Sequence, residues 1–328
     1  MDKMIAGFPD QLREAVEIGK QIQLKNIPNP LSSVYIAGMG GSGIGGDFVA
    51  EWVYDKCPVP IIVGKGYRLP AWVHPPAMAI VSSYSGNTEE TLSVYRQLQE
   101  RKVPIIALTS GGQLHQYANA SGTDSVLVPD NWSSPRACLG FSIVEQSYIL
   151  QQLGLIDNFF ERDFLNAADL LEKETEAIRM LAEEIAGQLV DKFTMIYALE
   201  GMEPVALRFR QQLNENSKTR AAHFCVPEMN HNELVGWKKQ DNHLAIVYFL
   251  SDYDSKRNRK RVAISREIMA PLAHSVFELH AKGNSKIEQA LYLVYLGDWI
   301  SWYLAKARGM DSIEVDVIDF LKKSLSEK

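Results

Sequence analysis

Short apolar runs alternate with longer amphipathic stretches along most of the 328-residue chain. Runs at 34–37, 61–63, 77–81, 103–108 and 125–128 read as buried strands. Between them, 46–54, 89–101 and 138–153 carry helical spacing. A leading helix is predicted over 9–25, with Leu12, Ala15, Val16, Ile18 and Ile22 on one side and Pro28 and Pro30 at its exit. Strands alternating with helices predict a parallel sheet covered on both faces. After Gly154 the rhythm changes: 163–190 is amphipathic, carries no strand signal and reads as a long linking helix. The alternation then resumes, with strands at 194–199, 221–226, 244–250 and 275–280. Helices are predicted over 203–217, 255–269, 284–308 and about 316–325.

The two series resemble each other. Ile36-Ala37-Gly38-Met39 has a counterpart in Tyr197-Ala198-Leu199-Glu200-Gly201-Met202, and Ala79-Ile80-Val81 in Ala245-Ile246-Val247, each of the latter followed by a loop with serine and tyrosine. A duplicated α/β architecture explains this. Gly38-Met39-Gly40-Gly41-Ser42-Gly43-Ile44-Gly45-Gly46 occurs only in the first copy, so the anion site is expected there. Strand, glycine loop, helix presents backbone N–H groups and the positive end of a helix dipole to a phosphate. The alternative, a turn that only packs helix on sheet, needs one glycine. A dinucleotide reading lacks its acid, because 60–63 ends in Gly64-Lys65; a nucleotide-triphosphate loop lacks its Gly-Lys-Ser/Thr, because this one ends Gly45-Gly46-Asp47.

A second stretch, Ser82-Ser83-Tyr84-Ser85-Gly86-Asn87-Thr88-Glu89, also follows a strand and opens a helix. Ser83, Ser85 and Thr88 place three hydroxyls on one turn, suited to a phosphate's oxygens. Helix capping accounts for Thr88 or Asn87 alone. Two such loops converge at the carboxyl ends of the strands, where open α/β sheets bind ligands.

Composition narrows the class. A net charge of −6 gives no global field for nucleic acid, and the basic run Lys256 to Arg261 reads as a solvated helix face. Met1-Asp2-Lys3-Met4 leads into no long apolar region, and no run reaches transmembrane length, so no signal peptide or span is expected. Cys57, Cys138 and Cys225 suggest neither a disulfide framework nor a zinc site. The expectation is a cytoplasmic protein without cofactor.

Taken together, the glycine stretch, the hydroxyl stretch, Ser134-Pro135-Arg136, Asn214-Glu215-Asn216-Ser217-Lys218 and Pro227-Glu228-Met229-Asn230-His231-Asn232-Glu233 are similar to the bifunctional phosphoglucose/phosphomannose isomerases. These are a two-SIS-domain branch of the phosphoglucose isomerase superfamily. The resemblance implies two flavodoxin-like αβα sandwiches joined by a long helix. Expected parts are an N-terminal helix (1–26), a phosphosugar-binding SIS subdomain (27–155), the linking helix (156–190) and a second SIS subdomain with C-terminal helices (191–328). It also implies interconversion of glucose 6-phosphate, and mannose 6-phosphate, with fructose 6-phosphate.

That chemistry moves a proton between C2 and C1 through a cis-enediolate. It needs a carboxylate base, a cation for the enediolate, and acid/base groups at the ring oxygen. Glu215 matches the family's proton-transferring glutamate; its surroundings alone favour an exposed helix-surface acid. His231 matches the ring-opening histidine, which in the resembling enzymes comes from the partner subunit and implies a homodimer. Arg136 matches the enediolate-stabilising cation. An active-site lysine is implied near the C-terminus, with Lys322 favoured over Lys306; Val315 stands where many relatives carry threonine. Gly41, Ser42, Ser83, Ser85, Thr88 and Arg136 are the expected substrate contacts, with no metal. The alternatives are a non-catalytic phosphosugar-binding SIS protein, or an isomerase for another sugar phosphate.

Overall fold

A computed structural model describes residues 1–25 and 27–326. The chain divides into two compact units. The N-terminal unit comprises Ala6–Glu172 with Ser285–Glu288; the C-terminal unit comprises Met1–Ile5, Lys173–Asn284 and the chain from Gln289 on.

A short α1 (Asp2–Ala6) precedes α2 (Phe8–Gly19), β1 (Val34–Ala37), α3 (Gly40–Trp52), β2 (Ile61–Gly64) and β3 (Met78–Ser82). Then come α4 (Glu89–Glu100), β4 (Ile105–Thr109), α5 (Gly112–Ser121), β5 (Asp124–Leu127) and α6 (Leu139–Gln152). The five strands are parallel in the order β2-β1-β3-β4-β5. Every residue of β1 and β3 is buried, which is why these strands read as unbroken apolar runs. Tyr35, Val81, Leu92, Tyr95 and Leu98 pack one core of this unit. Because β1 sits between β2 and β3, connections leave it in opposite directions. The crevice beyond the carboxyl ends of β1 and β3 is therefore a topological switch point.

The chain passes into the C-terminal unit within α7 (Phe159–Leu189). There follow β6 (Phe193–Leu199), α8 (Glu203–Glu215), β7 (Ala221–Val226), β8 (Asp241–Leu250), α9 (Lys256–Met269), β9 (Ala273–His280), α10 (Lys286–Ala307) and α11 (Asp316–Ser326). These strands are also parallel, in the order β7-β6-β8-β9, the order of the first four strands of the other sheet. The duplicated architecture is thus present in the strand order itself. Among the described residues no helix is long and apolar enough to cross a membrane.

Three elements differ from expectation. The leading helix stops at Gly19, not at 25. Helix α3 begins at Gly40, so the glycine stretch forms the first turns of a helix and is not a loop ahead of one. Glycine's low helix propensity argued against this; packing overrides it, because a Cβ on Gly45 would lie 2.1 Å from Ser142 Oγ on α6. Helix α5 was not expected at all. Only Leu114 and Ala118 of it are buried, too few apolar positions to produce a readable helical pattern.

Candidate functional site

Helix α3 starts at the switch point, with Met39 as N-cap in extended conformation and Gly40 at φ +51°. Its free N–H groups and dipole end face the crevice. Helix α4 starts beside it after Thr88. The two starts are joined: the Tyr84 N–H donates to Ser42 Oγ at 3.2 Å. Ser83 is buried, and its hydroxyl lies 2.9 Å from that of Thr88. Ser85 is exposed at the turn and accepts the Asn87 N–H at 3.3 Å. Ser83, Ser85 and Thr88 thus line one turn at a helix N-terminus, the arrangement that satisfies several oxygens of one anion.

Arg136 belongs to a 3₁₀ turn, Pro135–Ala137, just before α6, and is buried at 8% exposure. A Cβ on Gly41 would lie 3.2 Å from the Pro135 carbonyl oxygen and 3.7 Å from Arg136 Cα. The missing side chain lets the arginine turn rest directly on the start of α3. Gly41, Ser42, Ser83, Ser85, Thr88 and Arg136 are therefore brought together in one unit. The cavity beneath them, between Ser42, Tyr84, Cys138 and Ser142, is small, about 20 Å³.

Two residues that support this cluster carried no separate functional signal. The Tyr84 hydroxyl donates to the Pro129 carbonyl at 2.9 Å and accepts the Trp132 N–H at 3.3 Å. Burial pushes this phenol well above the ordinary tyrosine range, so it stays a donor. The Tyr84 carbonyl in turn accepts the Ser110 hydroxyl at 2.6 Å. Tyr84 therefore ties the hydroxyl turn, the start of α3 and the segment leading to Arg136. Gln11 of α2 clamps the other side: its amide donates to the Ala137 carbonyl at 3.0 Å and its oxygen accepts the Gly140 N–H at 2.8 Å. The position of Tyr84 inside the hydroxyl motif was the available signal; nothing in the sequence distinguishes Gln11 from other glutamines. Lys65 pairs with Asp47, so the cation beside the glycine helix is already engaged by an acid of that helix.

The remaining candidates lie in the C-terminal unit on four separate elements. Glu215 is the last residue of α8 and is half-buried. The residues after it are held firmly. Asn216 donates to Ser301 Oγ at 2.9 Å, and the Ser217 hydroxyl donates to the Ser301 carbonyl at 2.8 Å. Lys218, at φ +55°, donates to the carbonyls of Glu215 and Glu314, both at 2.7 Å. His231 closes a 3₁₀ turn, Glu228–His231, and is exposed. Its neighbour Glu233 is committed to structure: its Oε1 accepts from the Tyr197 hydroxyl at 2.9 Å and Trp237 Nε1 at 2.7 Å. Lys322 lies on α11 with its side chain 74% exposed, 3.9 Å from Asp319. Lys306 is in the last turn of α10 and lies over the rings of Trp302 and Tyr303.

Residues 178–325 match the family model for the bacterial phospho-glucose isomerase C-terminal SIS domain. A bifunctional phosphoglucose/phosphomannose isomerase of Caldicellulosiruptor bescii is 37% identical over 337 residues, covering 100% of this chain and 99% of its own. Its counterpart from Aquifex aeolicus is 33% identical, covering 99% of this chain and 98% of its own. Among solved structures, the C-terminal domain of glucosamine-fructose-6-phosphate aminotransferase from Francisella tularensis superposes with a TM-score of 0.78 at 15% identity. That match covers 94% of this chain and 96% of the other, a likeness of fold.

Proposed function

The chain belongs to the bifunctional phosphoglucose/phosphomannose isomerase family, and from that premise we propose that it interconverts glucose 6-phosphate and mannose 6-phosphate with fructose 6-phosphate. The observation that carries the reading is the joined pair of helix starts at the β1/β3 switch point, with the Ser83 and Thr88 hydroxyls 2.9 Å apart. In this reading Ser83, Ser85 and Thr88 hold the phosphate. The start of α3, with Gly41 and Ser42, lines the sugar end. Ser42 spends an acceptor position on Tyr84 and keeps its own O–H to donate.

Glu215 moves the proton between C2 and C1, Arg136 stabilises the enediolate, and His231 opens the ring. Lys322 supplies the C-terminal ammonium. Among the described residues no three His, Cys, Asp or Glu side chains are grouped to hold a metal ion.

A homodimer with His231 contributed across the interface is part of the proposal. Its support is α11, where Val317 is 80% and Phe320 73% exposed beside Leu321 and Leu325. An apolar helix face of this kind marks an interaction surface. A cytoplasmic compartment is part of the same reading; no disulfide joins Cys57, Cys138 and Cys225. For the domain limits we retain a phosphosugar-binding subdomain at 27–155, a linker at 156–190 and a second subdomain from 191.

The test is Glu215→Gln. Proton transfer by a positioned carboxylate contributes about 10²–10⁴-fold, so turnover of fructose 6-phosphate should fall by that factor while phosphosugar affinity persists. Turnover within threefold of the parent enzyme would overturn the assignment. EDTA-treated enzyme should keep its rate.

A further inference from the structure

The C-terminal unit repeats the first four strands of the N-terminal sheet but not the helix beside them. In the N-terminal unit α5 packs next to α4: the Tyr95 and Tyr117 rings lie 6.0 Å apart, and Arg96 reaches the Tyr117 hydroxyl at 3.4 Å. In the C-terminal unit the chain leaves β9 and enters α10 without such a helix. The corresponding space beside α9 is a cavity of about 250 Å³.

Its walls are unlike those of a simple packing gap. Arg259 and Arg266, two turns apart on α9, line one side; Glu278 and His280 of β9 line the other, with Asp252 at the strand end and Val262 and Ala263 as an apolar floor. The Arg259 Nε–H donates to the Asp254 carbonyl at 3.1 Å, which fixes the stem and uses one of five N–H groups. One terminal nitrogen of Arg266 pairs with Glu278 at 2.9 Å. That pair is partly exposed, Arg266 at 45% and Glu278 at 28%, so an incoming anion displaces it at little cost. The rest of α9 adds Lys256, Arg257, Lys260 and Arg261 against one acid, Glu267, so the local field favours anions.

We propose that this cavity is a second anion site, taking the phosphate group of a small phosphomonoester or free phosphate between Arg259 and Arg266. A guanidinium pair gives a phosphate several charge-assisted hydrogen bonds. The apolar floor accommodates a short carbon body. The site is separate from the hydroxyl turn and does not depend on which sugar that turn binds.

Equilibrium dialysis of the full chain against labelled inorganic phosphate, and separately glycerol 3-phosphate, tests this. The parent chain should bind two equivalents per chain. Ser83→Ala/Ser85→Ala should remove one, and Arg259→Ala/Arg266→Ala the other. Ala263→Phe fills the cavity while keeping both cations; by pushing the anion off at least one charge-assisted hydrogen bond it should weaken the second equivalent by about tenfold or more. Tighter binding of glycerol 3-phosphate assigns the site to a phosphomonoester; equal binding assigns it to free phosphate. A single equivalent in the parent chain that Ser83→Ala/Ser85→Ala removes and Arg259→Ala/Arg266→Ala leaves in place overturns the proposal; a single equivalent with the opposite response overturns phosphate binding at the hydroxyl turn instead. A second equivalent that survives both the arginine and the Ala263→Phe changes also overturns the proposal.

Discussion

The loops after β3 and after β8 occupy the same place in two copies of one fold, and they treat negative charge in opposite ways. Aligned on their tyrosines, Tyr84 and Tyr253, the first reads Ser83-Tyr84-Ser85 and the second Asp252-Tyr253-Asp254. After β3, hydroxyls surround the start of α4. After β8, the Asp254 carboxylate turns in, accepts the Ser251 N–H at 2.7 Å and is 4% exposed. The loop after β6 behaves likewise: Glu200 accepts Asn258 Nδ2 of α9 at 2.9 Å, where the loop after β1 carries no acid. The helix behind it differs too, since α8 opens with Glu203-Pro204-Val205-Ala206 where α3 opens with glycines. A helix N-terminus attracts an anion whatever its origin. In one copy a ligand can fill that role; in the other the start of α9 is closed from within, where the Asn258 N–H donates to Ser255 Oγ at 3.1 Å beside two inward-turned acids.

The sharpest way to break this contrast is to write the second loop into the first. Ser85→Asp places a carboxylate where Asp254 stands in the repeat. Repulsion and loss of a charge-assisted contact, about 1.5–3 kcal/mol, should raise KM for fructose 6-phosphate by about 10–100-fold, with a smaller change in kcat. An unchanged KM would mean that phosphate does not sit on this turn.

The reverse experiment uses stability. Burial pushes Asp254 up from 3.8 to about 6, against the opposing pull of the Ser251 N–H. A carboxyl whose folded pKa lies above its unfolded value is favoured by folding in its protonated form. Its contribution is complete below about pH 3.8 and is lost as pH rises to about 6. Asp254→Asn keeps an acceptor for Ser251 and removes the titration. At pH 7 it should be more stable than the parent, on the order of 1–3 kcal/mol, and nearly equal to it at pH 3.5. Urea denaturation at the two pH values reads this directly, and a loss of stability at pH 7 would contradict it.

The smallest effect concerns Tyr84. Tyr84→Phe removes the bonds to Pro129 and Trp132 while the Tyr84 N–H to Ser42 remains. A net hydrogen bond contributes about 1 kcal/mol, so kcat should fall by about fivefold with KM little changed, because the affected segment leads to Arg136 and not to the phosphate turn. A KM effect without a kcat effect would move Tyr84 from positioning Arg136 to positioning the phosphate loop.

Much of this was legible in the chain. The buried strands are continuous apolar runs, as expected where a sheet is covered on both faces, and β1 and β3 lie within a residue of their predicted limits. The hydroxyl turn was legible because three hydroxyls exceed what one cap requires. Helix α5 was not, because two buried side chains leave no readable pattern. From sequence the glycine stretch reads as a loop, because local propensity favours one. Its helical state depends on α6, distant in sequence, pressing Ser142 against Gly45.

The class of elements, their order, the duplication and the residue types able to meet a phosphate are all written in the amino-acid sequence. These follow from local spacing and from chemistry that neighbours in sequence share. The tertiary structure alone ties Ser42 to Tyr84, clamps the Arg136 turn with Gln11, and turns the Asp254 carboxylate back onto the Ser251 N–H. Those contacts join positions whose partners no local pattern names, and they exist only once parallel strands have brought the loops to the same end of a sheet.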